Sequence, residues 1–356
     1  NRKPVKSIQI VLLLISFSYT AFAQTGNPVV KTDKGYIKGD YESNIAVFKG
    51  VPYAAPPVGS LRYLPPAGHA AWKDTLSTQE FGETATQPGE GKANGKEDCL
   101  TLNLYTPKTD NQKRAVVVWI HGGSMTGGTG RGMNGHAFAD NDDIVTITIN
   151  YRLGCFGFLY LGDVDKRYAE SGNNGLLDVI AALKWIRQNI AVFGGDPNRV
   201  TIMGESAGAK LLSAVAVSPK SEGLFKQIIA ESGSVQCVRD VTTAKNERAL
   251  ILKQLGLKPT DAAKLLIMSA DSLMRAQAKV CEGIAGNSFF GPVYDGIVIT
   301  EDAYKYAAGA GMPRIKALIG TNKTEAHSFV GEQAWKDKPD KTILNPLFRD
   351  NEAQVN

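Results

Sequence analysis

Cysteine and histidine are scarce in this sequence, with four of each in 356 residues, and no C-x-x-C pair or His/Cys cluster occurs. Structural zinc sites and thioredoxin-like redox sites depend on such spacings, so we expect no metal and no cofactor. The four cysteines, Cys99, Cys155, Cys237 and Cys281, would permit up to two disulfides in three connectivities. Buried free thiols are equally compatible with the sequence, which does not decide between these states. Internal repeats and long low-complexity segments are also missing, which excludes repeat architectures.

Long hydrophobic runs are missing as well. The most apolar segment, residues 8–19, is shorter than the roughly 20 residues that a membrane-spanning helix needs. Three basic residues precede it, and Ala-Phe-Ala at positions 21–23 follows as a small-x-small cleavage site. We therefore expect residues 1–23 to be a signal peptide, and the protein to be secreted or periplasmic with no membrane span after cleavage.

The charge has no strong excess of either sign. Lys and Arg number 40 and Asp and Glu 35, a formal net charge of +5. This balance gives no support for a nucleic-acid partner or a basic membrane-binding face. With 43% hydrophobic and 21% charged residues, the composition is typical of a soluble globular protein.

Strand and helix patterns alternate from residue 115 onward. Continuous apolar, β-branched runs predict strands, and apolar residues at three- and four-residue spacing predict helices. This order is typical of an α/β fold with a mainly parallel central sheet flanked by helices. The predicted strands are residues 115–120, 144–149, 200–203, 225–230 and 315–319, and the predicted helices are residues 174–193 and 207–217.

Between residues 235 and 290 the pattern changes to helices, predicted at 243–255, 261–268 and 271–280. An excursion of this kind from an α/β sheet serves either as a cap over the site or as structural packing. We expect one domain over residues 24–356, with this cap-like insertion at about 235–290.

The pentapeptide Gly204-Glu205-Ser206-Ala207-Gly208 lies between a predicted strand and a predicted helix. A G-x-S-x-G sequence in that context holds a nucleophilic serine on a sharp turn at the sheet edge. The helix that follows directs its N-terminus toward the site, where it favours developing negative charge. The pattern therefore predicts Ser206 as a catalytic nucleophile.

His121-Gly122-Gly123 follows the strand predicted at 115–120. Acyl transfer needs backbone N–H donors that face the oxygen that becomes anionic, and glycines allow close approach. We predict an oxyanion hole made of the N–H groups of Gly122, Gly123 and Ala207. His121 is expected to be structural, because a general base must lie on the other side of the nucleophile.

These motifs, with several longer blocks, resemble the type B carboxylesterases, the family that also contains cholinesterases and bile-salt-activated lipases. The resemblance implies an α/β-hydrolase fold and runs from about residue 34 to 330. It rests on FKGVPYAAPP at 48–57 with LRY at 61–63, EDCLTLNL at 97–104, NYRLG at 150–154, GNNGLLD at 172–178, FGGDP at 193–197 and VTIMGESAG at 200–208.

The resemblance also implies roles for further residues. Gly320-Thr-Asn-Lys-Thr-Glu325 is similar to the family segment that supplies the acid of the catalytic triad, so Glu325 is expected to take that role. Ion pairs are implied between Arg62 and Glu97 and between Arg152 and Asp178. Glu205 is implied to be a negative charge beside the nucleophile and not a triad member.

Two departures from the family pattern stand out. Ala85 occupies the place of the cysteine that pairs with the equivalent of Cys99 in the family, so Cys99 is expected to lack that partner. The triad histidine of the family lies well beyond the acid, and only His327 follows Glu325 here. A spacing of two residues is too short for acid and base to reach the serine from separate loops. We therefore expect the triad histidine not to be in this chain, the final strand to be missing, and the sequence to be C-terminally truncated.

The function predicted from these features is carboxylic-ester hydrolysis through an acyl-enzyme intermediate on Ser206, with a small-molecule ester as partner. The 356-residue chain itself is expected to be nearly inactive without the histidine. A non-catalytic cell-surface binding relative of the same fold is the alternative, and a serine peptidase is a weaker one. The sequence decides neither the identity of the ester nor the oligomeric state.

Overall fold

The structure is a computed structural model that describes residues 26–282, 286, 288–309 and 315–325. The predicted signal peptide and His327 lie outside the described residues.

Fifteen strands and seven α-helices occur in the described part of the chain. The strands are β1 Val29–Thr32, β2 Gly35–Lys38, β3 Asp40–Glu42, β4 Ile45–Pro52, β5 Leu76–Ser77, β6 Gln87–Pro88, β7 Ala93–Asn94, β8 Thr101–Thr106, β9 Arg114–Ile120, β10 Val145–Ile149, β11 Gly195–Glu205, β12 Gln227–Glu231, β13 Arg239–Asp240, β14 Val293–Tyr294 and β15 Lys316–Gly320. The helices are α1 His136–Asp142, α2 Gly154–Phe158, α3 Asn174–Asn189, α4 Ala207–Ala216, α5 Val241–Gln254, α6 Ala270–Val280 and α7 Ala303–Ala308.

The central sheet has eight strands in the order β15-β12-β11-β9-β10-β8-β4-β3. The four pairings from β15 to β10 are parallel, and the three from β10 to β3 are antiparallel. The predicted α/β architecture with a mainly parallel sheet is therefore confirmed. Its antiparallel part comes from N-terminal segments for which we predicted no strands.

The central strands are buried because both faces of the sheet are covered. All five residues of β10 are buried, and so are Val116, Val118 and Ile120 of β9. β9 has the continuous apolar run that is typical of parallel strands covered on both faces, whereas β10 alternates Val and Ile with the buried Thr146 and Thr148. This is why residues 115–120 and 144–149 could be recognised as strands from sequence.

The helix predicted at 174–193 is divided in the structure. The α-helix α3 ends at Asn189, and the 3₁₀ turn Ile190–Phe193 follows it. Gly194, with φ 81°, terminates this turn, because only glycine readily adopts that backbone conformation.

The segment from residue 235 to 290 is mainly helical, as predicted. It contains α5, α6 and the 3₁₀ helix Pro259–Ile267, where we had predicted an ordinary helix over 261–268. Leu273 and Met274 of α6 belong to the main hydrophobic core, so this segment packs against the sheet domain. The assignment of this segment as a cap stays a prediction.

In the part of the chain that the structure describes, no helix combines the length and apolar character needed to cross a membrane.

Candidate active site

Ser206 lies at the turn between β11 and α4. Its backbone has φ 54° and ψ −118°, a conformation that costs a non-glycine residue about 1–3 kcal/mol. The Ser206 N–H donates to the carbonyl oxygen of Glu231 at 2.8 Å, which ties the turn to the end of β12. The surrounding sheet therefore holds Ser206 in a strained turn at the carboxyl edge of the parallel strands.

Both glycines of the pentapeptide are required by close backbone contacts. A Cβ atom at Gly208 would lie 2.0 Å from the carbonyl oxygen of Ile120 at the end of β9. A Cβ atom at Gly204 would lie 2.7 Å from the carbonyl carbon of Gly208 and 2.8 Å from that same Ile120 oxygen. These contacts are shorter than van der Waals distances, so α4 can pack against β9 and β11 only because neither position has a side chain.

Gly122 and Gly123 follow β9 and lie beside this turn. A Cβ atom at Gly122 would lie 3.4 Å from Cβ of Ser206. Gly123 has φ 103°, and a Cβ atom there would lie 2.3 Å from the carbonyl oxygen of Gly127. Among the described residues, the N–H groups of Gly122 and Gly123 have no hydrogen-bond acceptor.

Ala207 is the first residue of α4. The first N–H groups of a helix have no acceptor within the helix, and the helix dipole places partial positive charge there. The structure thus brings the main chain of Gly122, Gly123 and Ala207 to the immediate surroundings of Ser206. Such an arrangement can stabilise an oxyanion.

His121 packs in the interior beside this loop. Its side chain stacks on the ring of Tyr151 with centroids 4.4 Å apart, and its Nδ1 lies 2.8 Å from the carbonyl oxygen of Gly122. Burial lowers the pKa of His121 to about 4, while the hydrogen bond to Gly122 acts in the opposite direction. His121 is therefore neutral at pH 7, with Nδ1–H donating to Gly122. These contacts agree with the expected structural role.

Glu325 follows β15 at the same edge of the sheet. Its Oε1 accepts hydrogen bonds from the Ser232 hydroxyl at 2.5 Å and from the Asn322 N–H at 2.6 Å. The hydrogen bond from Ser232, followed by that from Asn322, lowers the pKa of Glu325, so this carboxylate is ionised at neutral pH. Our sequence reasoning missed Ser232. The only available signal was its place directly after a strand, in Glu231-Ser232-Gly233.

Three carboxylates lie at the sheet edge where the strained serine is held. Glu205 and Glu231 are register partners on β11 and β12, and Glu325 follows the next strand. Partial burial raises the pKa of Glu205, and the charges of Glu231 and Glu325 raise it further. A group of acids with this geometry favours a cationic partner, such as a protonated imidazole.

The three described histidines lie at different places in the fold. His69 contacts the carbonyl oxygen of Ala70 through Nδ1, His121 contacts that of Gly122, and His136 contacts the carboxylate of Glu42 through Nε2 at 2.9 Å. These rings are thus engaged away from Glu325. The structure assigns no imidazole to the acid and the serine among the described residues.

The two ion pairs expected from the resemblance are both present. Arg62 contacts Glu97 through Nε at 2.7 Å and through Nη2. Arg152 binds both carboxylate oxygens of Asp178 at 2.8 Å, and both side chains are buried. The Arg62–Glu97 pair joins two loops that precede β8. The Arg152–Asp178 pair joins the loop after β10 to α3.

Three of the four cysteines are buried free thiols, namely Cys99, Cys155 and Cys237. For these three cysteines the structure has free thiols, which was one of the two states that the sequence left open. Cys99 and Ala85 line the same small cavity, which agrees with the expectation that Ala85 takes the place of a disulfide partner. Burial raises the pKa of Cys237 to about 11, so its thiol is protonated at neutral pH.

Comparison with known proteins gives consistent results. The model of the carboxylesterase family matches residues 26–354. A para-nitrobenzyl esterase of Bacillus subtilis is 36% identical over 313 residues, which are 85% of this chain and 63% of that protein. A fumonisin B1 esterase of Sphingopyxis macrogoltabida is 37% identical over 340 residues, 90% of this chain and 60% of that protein. The chain thus spans about three-fifths of the length of these two curated relatives.

Solved structures agree with the sequence comparisons. A crystal structure of a Geobacillus stearothermophilus carboxylesterase superposes with a TM-score of 0.82 at 38% identity, covering 90% of this chain and 67% of that one. A PNB esterase structure gives a TM-score of 0.80 at 36% identity, with coverages of 90% and 68%.

Proposed function

The chain belongs to the carboxylesterase family, and from this we propose that the whole protein hydrolyses carboxylic esters through a serine nucleophile. The predicted family and the predicted α/β-hydrolase fold are both confirmed by the comparisons. The substrate is proposed to be a small-molecule ester.

In the proposed reaction, the Ser206 hydroxyl attacks the ester carbonyl carbon. The carbonyl oxygen becomes an oxyanion that accepts hydrogen bonds from the N–H groups of Gly122, Gly123 and Ala207. The alcohol then leaves, and water hydrolyses the acyl-enzyme by the same route. Glu325 orients the imidazole that accepts the serine proton and stabilises its cation.

One observation carries this proposal: the strained backbone of Ser206 lies directly beside Gly122, the first of two consecutive glycines after β9. Ser206 has φ 54°, and Gly122 approaches it closely enough that a Cβ atom at Gly122 would lie 3.4 Å from the serine Cβ. A serine that had only a structural role would gain nothing from a strained turn next to two N–H groups that lack acceptors.

We propose that the base is a histidine outside this chain, as the two-residue spacing of Glu325 and His327 leads us to expect. His69, His121 and His136 have their own contacts elsewhere, and Glu325 is bonded to Ser232 and Asn322. Removing the histidine of a comparable triad lowers kcat by about 10⁶. We therefore propose that the 356-residue chain by itself turns over esters very slowly.

A comparison of the full-length gene product with the 356-residue chain tests both parts of this proposal. We expect the full-length protein to hydrolyse p-nitrophenyl acetate and to be labelled by a fluorophosphonate, and Ser206→Ala to abolish both. The control variant Ser77→Ala removes an exposed hydroxyl on β5 and should leave both unchanged. Turnover by the 356-residue chain at an ordinary esterase rate would refute the missing base, and labelling that persists in Ser206→Ala would refute the nucleophile.

We further propose that the protein is exported by the signal peptide at residues 1–23. The support is the basic, apolar and small-x-small pattern of that segment alone. N-terminal sequencing of the exported protein should begin at Gln24, and recovery of an intact N-terminus would contradict export by this route.

A further inference from the structure

Gln277 of α6 has a fully buried side chain that reaches the main chain after β10. Its exposed fraction is 0%, and its Oε1 accepts a hydrogen bond from the Cys155 N–H at 2.9 Å. Gly154 has φ 49°, and a Cβ atom there would overlap the Gln277 amide. The helical segment at 235–290 thus contacts the start of α2 directly, through a side chain that fits only because residue 154 is a glycine.

The start of α2 is bonded to two segments that are distant in sequence. The first N–H groups of a helix have no acceptor within the helix. Here the Gly154 N–H donates to the carbonyl oxygen of Met125 at 2.7 Å, and the next N–H, that of Cys155, donates to Gln277. Consecutive N–H groups of α2 therefore link α6 to the loop after β9.

That loop is the one that contains Gly122 and Gly123. Gly123, Ser124 and Met125 have φ values of 103°, 56° and 58°, so two consecutive non-glycine residues adopt the left-handed conformation. Such residues keep this conformation only where their surroundings enforce it. The Met125 side chain is 1% exposed, and its carbonyl oxygen is held by Gly154. The loop is therefore fixed, at its strained end, by the start of α2.

The amide of Gln277 is satisfied on one side only. Its Nε2 is buried and has no hydrogen-bond partner among the described residues. A buried donor without an acceptor is costly, and an apolar side chain of similar size would avoid that cost. The bond from Cys155 to Oε1 is the contribution that an apolar residue could not make.

We propose that Gln277 is a positioning residue for the oxyanion hole. It holds the start of α2, which holds Met125 and thereby the N–H groups of Gly122 and Gly123. Gln277 itself does not touch the substrate. This inference rests on the proposed function, since it assumes that these two N–H groups bind the oxygen that becomes anionic.

Steady-state kinetics of the full-length protein with p-nitrophenyl acetate provide the first test. Gln277→Met removes the acceptor and keeps a side chain of similar length. Loss of one oxyanion-hole donor costs about 10²–10³ in kcat, and donors that are displaced should cost part of that. We therefore expect kcat to fall about tenfold and KM to change less than about twofold, because the lost interaction is made in the transition state.

Two further variants separate positioning from general stability. Gln277→Glu keeps an acceptor oxygen and loses only the Nε2 group, so it should retain more of kcat than Gln277→Met. Ile251→Ala opens a cavity in α5, where Ile251 is 0% exposed, and should lower the melting temperature while kcat stays at the wild-type value. Gln277→Leu replaces the methionine variant if that protein does not fold.

Hydrogen exchange tests the same inference without activity. The N–H groups of Thr126 and Gly127 both donate to the carbonyl oxygen of Gly123 at 3.0 Å, so their exchange reports whether the loop is closed. In Gln277→Met they should exchange about tenfold faster than in wild type, while the amides of β9 are unchanged. In Ile251→Ala the loop amides should exchange as in wild type.

The inference is overturned if Gln277→Met has the wild-type kcat, if only its KM changes, or if its loop amides exchange as in wild type. It is also overturned if Ile251→Ala lowers kcat as much as Gln277→Met does. The proposed function fails separately, if the full-length wild type shows no hydrolysis that depends on Ser206. In that case the exchange of Thr126 and Gly127 still decides whether Gln277 positions the loop.

Discussion

His121 illustrates, at the scale of single residues, how burial decides the state of a titratable group. Its exposed fraction is 5%, and it hydrogen-bonds only to a carbonyl oxygen one residue away. A charged imidazolium would lose its hydration there, so the folded state holds the neutral form. The loop that contains Gly122 and Gly123 therefore packs beside a histidine, His121, that the folded state keeps neutral.

We predict that His121 makes the protein less stable in mild acid. Its pKa is lowered to about 4 in the folded state, so the unfolded chain binds a proton first. This contribution is fully present above a pH of about 6.5 and is lost as the pH falls toward about 4. Between pH 7 and pH 5, the free energy of unfolding should fall by about 2 kcal/mol more in wild type than in His121→Asn.

Urea denaturation at the two pH values measures this difference. His69→Asn serves as the control, since His69 is partly exposed beside Trp72, and it should follow the wild-type pH dependence. Equal pH dependence in wild type and His121→Asn would contradict the assignment of a neutral, buried His121.

At the scale of secondary-structure elements, the turn between β11 and α4 is set by backbone contacts that exclude any side chain at Gly208. We predict that Gly208→Ala destabilises the protein by at least about 2 kcal/mol, because the new Cβ atom would meet the rigid main chain of β9. Thermal unfolding followed by circular dichroism measures the effect. Gly132→Ala is the matched control, with no atom within 4 Å of the added carbon, and a melting temperature of Gly208→Ala equal to that of this control would contradict the packing described.

The buried pair of Arg152 and Asp178 joins the loop after β10 to α3. Exposed fractions of 3% and 0% leave Arg152 an uncompensated charge if the acid is neutralised. We predict that Asp178→Asn costs about 3–5 kcal/mol of unfolding free energy, as is usual when one partner of a buried pair is removed.

The exposed pair of Asp165 and Arg167 is the control, because Arg167 is 72% exposed. Asp165→Asn should change the stability by less than about 1 kcal/mol in the same urea titration. Similar losses for both variants would show that burial does not determine the cost of removing the Asp178 charge.

At the scale of the whole molecule, β15 is an edge strand of the central sheet among the described residues. Leu318 and Ile319 on this strand are 66% and 61% exposed. Exposed apolar edge strands offer unpaired backbone groups and apolar surface to a second molecule. We therefore predict that the 356-residue chain self-associates through β15, and that Leu318→Lys weakens this association.

Light scattering coupled to size-exclusion chromatography over a range of concentrations measures the effect. Ile267→Lys is the control, because Ile267 is 87% exposed but lies far from the sheet edge in the 3₁₀ helix Pro259–Ile267. If both substitutions reduce association equally, general hydrophobicity and not the strand edge is responsible.

The local elements and the turn at Ser206 could be predicted from the residues alone. The runs at 115–120 and 144–149 form strands within one residue of the predicted bounds, because apolar and β-branched residues favour buried strands. The pentapeptide around Ser206 indicated a strand-to-helix turn, because its pattern lies between two elements that are predicted locally, although the carbonyl oxygen of Ile120 that excludes a side chain at Gly208 belongs to the distant strand β9.

Contacts between distant segments could be seen only in the folded chain. The antiparallel half of the sheet and the contact between Ser232 and Glu325 both depend on the order and register of strands far apart in sequence. Periodicity reports which face of an element is apolar, but it does not report which partner covers that face. For the same reason the states of Cys99, Cys155 and Cys237 could not be chosen from spacing, since a disulfide requires proximity that only the fold creates.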